Sequence, residues 1–187
     1  MSGGPRAGGL YVALLRGINV AGKNRLSMKD LVAMFAEAGC GEVLTYIQSG
    51  NVVFRATEAR ASRVPGVIAA TISDRLGFRV PVIMRTAGEL RAIARGNPFL
   101  RAGADAEALH VMFLADRPPS GKIAALDPKR SPPDEFEVRG REVYLRCPNG
   151  VGRSKLTNEY FDTKLSTTST MRNWRTVLRL VEMAGGP

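Results

Sequence analysis

The sequence contains one histidine, His110, and two cysteines, Cys40 and Cys147, set far apart and without a Cys-x-x-Cys spacing. So sparse a set argues against a His/Cys metal cluster, and no metal site is expected. Reduced, mostly buried thiols are the default for such a pair in a cytosolic protein. His110 lies in the apolar run LHVMFLA, which reads as a strand. It is expected to take a local hydrogen-bond partner there, and no Ser-His-Asp arrangement is evident. Aromatic residues make up only 6% of the chain, so platforms for stacking bases are not obvious. No apolar stretch approaches the roughly 18 residues of a membrane span. The run Leu10 to Leu15 is too short for a signal-peptide core and meets Arg16 at once. The expectation is a cytoplasmic protein with no export signal and no membrane partner.

Positive charge is plentiful. Lys and Arg number 27 against 17 acids, a formal net charge of +10. That excess favours polyanionic partners such as nucleic acid, an anionic membrane or phosphorylated ligands. The basic residues are mostly Arg and are dispersed along an Ala- and Gly-rich chain, so a compositional bias explains them equally well. Hydrophobic residues are 44% of the total, near the globular average and enough for a sizeable core.

Tyr11 to Leu15 reads as a first strand. After a polar loop, Gly17 to Arg25, Ser27 and Asp30 form a capping-box pattern. Met28, Leu31, Val32 and Phe35 then fall on one helical face, with Gly39 as the stop. Strands are predicted over Val43 to Ile47 and Val52 to Phe54, joined by a tight hairpin at Gln48-Ser49-Gly50-Asn51. Pro65 stands near the start of a second helix that presents Ile68, Ile72 and Leu76 and ends at Gly77. Phe78 to Met84 is a fourth strand, and Pro81 within it indicates an edge position. This βαββαβ order is the ferredoxin-like arrangement.

The second half opens with a helix capped by Thr86 and Glu89 and stopped at Gly96, and Asn97-Pro98 marks a turn. Leu109 to Leu114 is a strand and Ser120 to Leu126 a short helix. Phe136 to Val138 and Val143 to Leu145 pair across Arg139-Gly140-Arg141. Ser154 opens a helix carrying Leu156, Tyr160 and Phe161. A last helix from about Met171 carries Trp174, Val177, Leu178 and Val181 on one face. The half reads β-α-β-turn-β-α, a degenerate repeat of the first. The fold class expected is α+β, with two ferredoxin-like βαββα(β) sub-domains, antiparallel sheets and a C-terminal helix. Residues 1–9 are expected to form a flexible extension, 10–85 the first sub-domain, and 86–184 the second with the C-terminal helix.

The segments YVALLRGINVAGKNRLSMKDL, TYIQSGNVVF, VPVIMRT, NPF, YLRCPNGVGRSKL and TMRNWRTVLRL, in this order, resemble the family called domain of unknown function 1697 from Leu10 to Leu180. The resemblance implies an α+β fold of ferredoxin-like sub-domains and no particular activity. Where the family tends toward Thr-Thr-Arg, this chain has Thr170-Met171-Arg172. That leaves Thr170 as a cap and weakens any role for a hydroxyl at 171.

The candidate ligand site follows from topology. In a βαββ unit the first strand ends where the second and third strands turn. Arg16, Asn19, Lys23, Asn24 and Arg25 should therefore meet Gln48, Ser49, Gly50 and Asn51. Cations, amides and the helix start at Ser27 favour a phosphate or carboxylate there. A structural account competes: Asn19 fixes a turn, Gly50 supplies positive φ, and the cations are solvated. Gly17 to Asn24 nearly matches the phosphate-loop pattern, with Asp116 as a mimic of the magnesium-side aspartate. However, Asn24 lacks the hydroxyl, the helix is capped later at Ser27, and the hairpin implies antiparallel pairing. A second candidate is the Gly-rich run into Arg153, Ser154 and Lys155, together with Arg172 and Asn173. Cys147 has basic neighbours, so a lowered thiol pKa is conceivable, although no base accompanies it.

No catalytic residue or cofactor is assigned, and catalysis is left open. The favoured reading is a phosphate-bearing small ligand at the first loop and hairpin. A basic nucleic-acid-binding module and a non-catalytic protein-interaction module are the alternatives.

Overall fold

The computed structural model describes residues 8–186, so the expected N-terminal extension lies, up to residue 7, outside the described residues. The chain divides into two compact units, one of Met1–Leu90 with Leu180–Pro187 and one of Arg91–Arg179. No helix among the described residues is long and apolar enough to cross a membrane.

The first unit runs β1 (Gly9–Leu15), α1 (Met28–Glu37), β2 (Gly41–Tyr46), β3 (Asn51–Ala56), α2 (Glu58–Ala61), α3 (Val64–Leu76) and β4 (Val82–Thr86). Its strands form one antiparallel sheet in the order β2-β3-β1-β4. Ala13 and Leu15 of β1 join Val52 and Phe54 of β3 under Leu31 and Phe35 of α1 and Ile68 and Ile72 of α3. Phe54 anchors this layer, with ring centroids 5.8 Å from Tyr11 and 5.2 Å from Phe35. Val12, Leu14, Val53 and Ile83, on the other face of the sheet, are buried as well. Burial on both faces is why β1 reads as a continuous apolar run rather than an alternation.

The capping signals act as read. Ser27 Oγ accepts the Asp30 N–H at 3.0 Å and its hydroxyl donates to the Asp30 carboxylate at 2.6 Å. The Thr86 N–H donates to Glu89 at 2.7 Å, and the Glu89 N–H donates to Thr86 Oγ1 at 3.0 Å. Pro81 falls just before β4 rather than inside it. Its carbonyl accepts the Arg16 N–H at 3.0 Å, and β4 is the edge strand that a nearby proline suits.

The remaining elements are α4 (Ala87–Arg95), α5 (Pro98–Arg101), β5 (Leu109–Leu114), α6 (Ser120–Ala124), β6 (Glu135–Arg139), β7 (Glu142–Arg146), α7 (Asn158–Leu165), β8 (Ser169–Asn173) and α8 (Trp174–Met183). The second sheet has the order β6-β7-β5-β8, also antiparallel throughout. Several expectations fail here. The segment at Met171 is not the start of a helix: residues 169–173 are β8, paired with β5, and α8 begins at Trp174. Thr170 is therefore no cap but a buried strand residue opposite Phe113, and Asn173 Oδ1 takes the capping role by accepting the Thr176 N–H at 2.8 Å. Likewise Ser154 does not open α7. It closes a short turn over Val151–Arg153, and Thr157 caps α7 by accepting the Tyr160 N–H. Asn97-Pro98 is the start of α5, with Asn97 Oδ1 accepting the Phe99 and Leu100 N–H groups.

Candidate functional site

The loop after β1 folds on itself before it reaches α1. Val20 and Lys23 close a tight turn through the Lys23 N–H to Val20 carbonyl bond of 2.9 Å. Ala21 and Gly22 between them have φ of 48° and 75°, the paired positive values of a hairpin-type turn. Asn19 and Asn24, on either side, also lie in the left-handed region, which Asn tolerates better than most residues. The Asn24 amide donates to the Gly17 carbonyl at 2.9 Å.

Asn19 joins this loop to the hairpin. Its Nδ2 donates to the Leu26 carbonyl and to the Gln48 carbonyl, each at 2.8 Å, while its Oδ1 accepts the Leu26 N–H at 2.9 Å. The two tracts that topology was expected to bring together do meet, and an asparagine stitches them. Asn51 is fully buried as the first residue of β3, and its Nδ2 donates to the Tyr46 carbonyl and Ser49 Oγ at 3.0 Å each. Gly50 has φ of 79°, and a Cβ there would lie 2.7 Å from Leu15 Cβ and 2.9 Å from Ile18 Cδ1. Its carbonyl accepts the Leu15 N–H at 2.8 Å, which seats the hairpin on the end of β1.

The nine candidates therefore divide by job. Asn19, Asn24, Gly50 and Asn51 hold the backbone, as the structural account of them expects. Arg16 and Ser49 are half-buried, and Lys23, Arg25 and Gln48 are exposed. An open depression of about 430 Å³ lies between the tracts, lined by Asn19, Arg25 and Gln48 together with Gly22, Leu26 and Ser27. Gly22 and Leu26 carry no polar side chain, so no residue-type signal marked them. The phosphate-loop likeness ends in this geometry, because the turn ties up the Lys23 N–H and the sheet is antiparallel.

The second candidate group does not form a comparable rim. Arg172 is a buried strand residue whose guanidinium donates to Thr170 Oγ1 at 2.7 Å and the Met171 carbonyl at 2.8 Å. Burial pulls its pKa down to about 10. Around the Gly-rich run the N–H groups of Arg153, Ser154, Lys155 and Leu156 are taken by Gly150, Val151, Ser131 and Ser154 respectively. Those four main-chain donors are thus engaged within the turn and its neighbours. Asn173 lines a different hollow of about 370 Å³, with Trp174 and Leu178 on α8 and the widely exposed pair Glu107 and Arg175, 3.9 Å apart.

Thiol chemistry is disfavoured. Burial pushes the Cys147 pKa up to about 11, Asp134 adds to the rise and a Ser154 hydrogen bond opposes it. The lowered pKa that the basic neighbours in sequence made conceivable does not occur, because desolvation dominates. Burial likewise pushes the Cys40 thiol up, against Arg60. His110 sits in β5 opposite Leu145 and Asn173, and burial lowers its pKa against a main-chain hydrogen bond at Ala108. No group of three or more His, Cys, Asp or Glu residues suited to a metal ion occurs among the described residues.

The fold and this stitched rim define an α+β protein built on two four-stranded antiparallel sheets. A family model described as protein of unknown function (DUF1697) matches residues 9–144, so the chain belongs to that family. The motif segments that follow residue 144 lie beyond the matched span. Comparison with curated protein sequences finds no match. Among solved structures, the conserved bacterial protein SP0830 from Streptococcus pneumoniae is similar at a TM-score of 0.74 and 19% identity, over 95% of this chain and 99% of that one. At that identity the likeness speaks for the fold alone.

Proposed function

We propose that the protein binds a phosphate-bearing anion in the depression between the loop over 16–25 and the hairpin over 48–51. The observation that carries this reading is the Asn19 bond to the Gln48 carbonyl. It holds two distant tracts around an open hollow with Arg25 and Gln48 on its wall. The α1 N-terminus at Ser27 borders the same hollow and adds the positive end of the helix dipole. Its charge is partly answered already, because Asp30 accepts from Ser27. Arg25 and the nearby Lys23 therefore carry most of the attraction, and Arg25 suits a forked contact to phosphate.

Thermal unfolding with inorganic phosphate, pyrophosphate and a nucleotide panel tests it. A ligand near 100 times its Kd adds about 2.7 kcal/mol, or a rise of roughly 5–10 °C for a chain of this size. The K23A/R25A variant should lose the rise. Asn51→Ala would break the hairpin itself and is not an informative probe. No shift with any of these anions would overturn the reading. Binding to duplex DNA with a steep salt dependence, in the absence of any small-anion effect, would favour the nucleic-acid module instead.

A further inference from the structure

The three most exposed large apolar side chains among the described residues are Val20 at 59%, Leu44 at 54% and Ile47 at 51%. All three belong to the first unit and to the two tracts that Asn19 stitches or to the strand leading into them. Val20 is the first corner of the tight turn, Ile47 opens the hairpin, and Leu44 lies on β2, the open edge strand of its sheet. Scattered exposed aliphatics need no explanation, but Val20 and Ile47 are the chain neighbours of Asn19 and Gln48, whose bond ties them to one rim with Lys23 and Arg25.

Ile47 adds an independent sign. Its φ is 51°, a conformation that a β-branched residue rarely adopts. The Asn51 bond to the Tyr46 carbonyl and the Asn19 bond to the Gln48 carbonyl brace the backbone on both sides of it. The strained residue thus presents its side chain to solvent instead of packing it.

Lys23 and Arg25 extend from the same loop and are exposed. Asp30 and Glu42, acids on the flanking α1 and β2, are already engaged by Ser27 and, at 3.1 Å, by Arg55. Aliphatic tips beside cations match an interface that is apolar just beneath a layer of phosphate. A soluble nucleotide would make no use of aliphatic tips, and a base-stacking surface would call for aromatic ones.

We propose that this end of the first unit docks on an anionic phospholipid surface. Lys23 and Arg25 take headgroup phosphates, and Val20 and Ile47 enter the interfacial layer. The proposal rests on the anion-binding reading and names the lipid phosphate as its anion. No membrane partner was expected, but that expectation concerned spanning segments: no helix among the described residues is long and apolar enough to cross a bilayer, and adsorption at its surface needs none.

Co-sedimentation of the full chain with vesicles of phosphatidylcholine, alone or mixed with phosphatidylglycerol, tests it beside the thermal shift with inorganic phosphate. The expected result is capture by the mixed vesicles only. The V20S/I47N variant, altered only at exposed positions, should lose about tenfold in vesicle affinity and keep the phosphate shift. K23A/R25A should lose both. A phosphate shift without capture by the mixed vesicles overturns the lipid proposal and leaves the anion reading standing. Loss of both in the unaltered protein removes both. Equal capture by neutral vesicles, or duplex DNA binding that V20S/I47N abolishes, overturns the proposal in favour of plain apolar adsorption or of a wedge into nucleic acid.

Discussion

The two units use one scaffold and finish it differently. Their sheets share a strand order, and their first strands end in the same pair of main-chain bonds. In the first unit the Leu15 N–H reaches the Gly50 carbonyl and the Arg16 N–H reaches Pro81; in the second, Leu114 reaches Arg141 and Ala115 reaches Thr168. A buried arginine recurs as well: Arg85 lies opposite Val12 and Arg172 opposite Val111, and each donates to the carbonyl of the methionine before it. The connections are what differ. In the first unit residues 16–27 lead from strand to helix and 47–50 form the hairpin, whereas in the second 115–119 and 140–141 suffice. The scaffold sets where a site can be, and the longer loops of the first unit create the hollow.

Both cores are built around a ring cluster, although the central ring comes from β3 in the first unit and from α7 in the second. Phe54 and Phe161 are fully buried, and each packs against two further rings. Phe54→Ala and Phe161→Ala should each cost about 3–5 kcal/mol, the usual range for emptying such a position. Urea unfolding reads both values. A difference of more than about 2 kcal/mol between them would break the equivalence of the cores.

Where the loops differ, the costs should part. Gly50→Ala meets a left-handed φ and a 2.7 Å clash with Leu15, and a loss of about 2–3 kcal/mol is expected. Gly140→Ala, with φ of 61° and its nearest neighbour 3.6 Å away at Glu142, should lose only about 1 kcal/mol. Equal losses would mean that the first hairpin is not seated on β1 as the geometry describes.

The thiols sharpen the comparison through pH. A buried thiol with a raised pKa keeps its proton in the folded state while the unfolded chain gives it up, so stability falls as pH rises between the two values. For Cys147 that window runs from about 9 to about 11, and the total loss is about 2–3 kcal/mol. Cys147→Ala should flatten the slope of the urea midpoint across that window, whatever it does to the level. Cys40, whose thiol burial also raises, should contribute a slope of the same sign. An unchanged slope in Cys147→Ala would show that the thiol is not the group titrating.

How far the sequence foretells this structure depends on where the signal is local. The capping boxes at Ser27 and Thr86 and the apolar runs of β1 and β5 are local, and they fold as read. Strand β8 is not legible: in Ser-Thr-Met-Arg-Asn the buried members are Ser169, Thr170 and Arg172, so the pattern that marks a strand is inverted. Only pairing with β5 makes it a strand. The candidate rim was legible as a cluster of Gly, Asn and cations. Which of those residues build and which stay exposed was not, because Asn19 reveals its role only through a bond to a carbonyl 29 positions away.

The smallest expected effect is also the most discriminating. Ile47→Asn keeps the hairpin, relieves a β-branched residue of its left-handed φ and removes a side chain that is half exposed. Asn is among the residues that tolerate this conformation, so the variant should be more stable by about 1 kcal/mol, a rise of a few degrees in Tm. The corresponding corner of the second unit, Gly140, carries no such strain to relieve. If Ile47→Asn raises Tm and lowers capture by anionic vesicles together, strain and docking are two sides of one feature. If it lowers Tm instead, the side chain is stabilising the fold, and its exposure is incidental to any surface it meets.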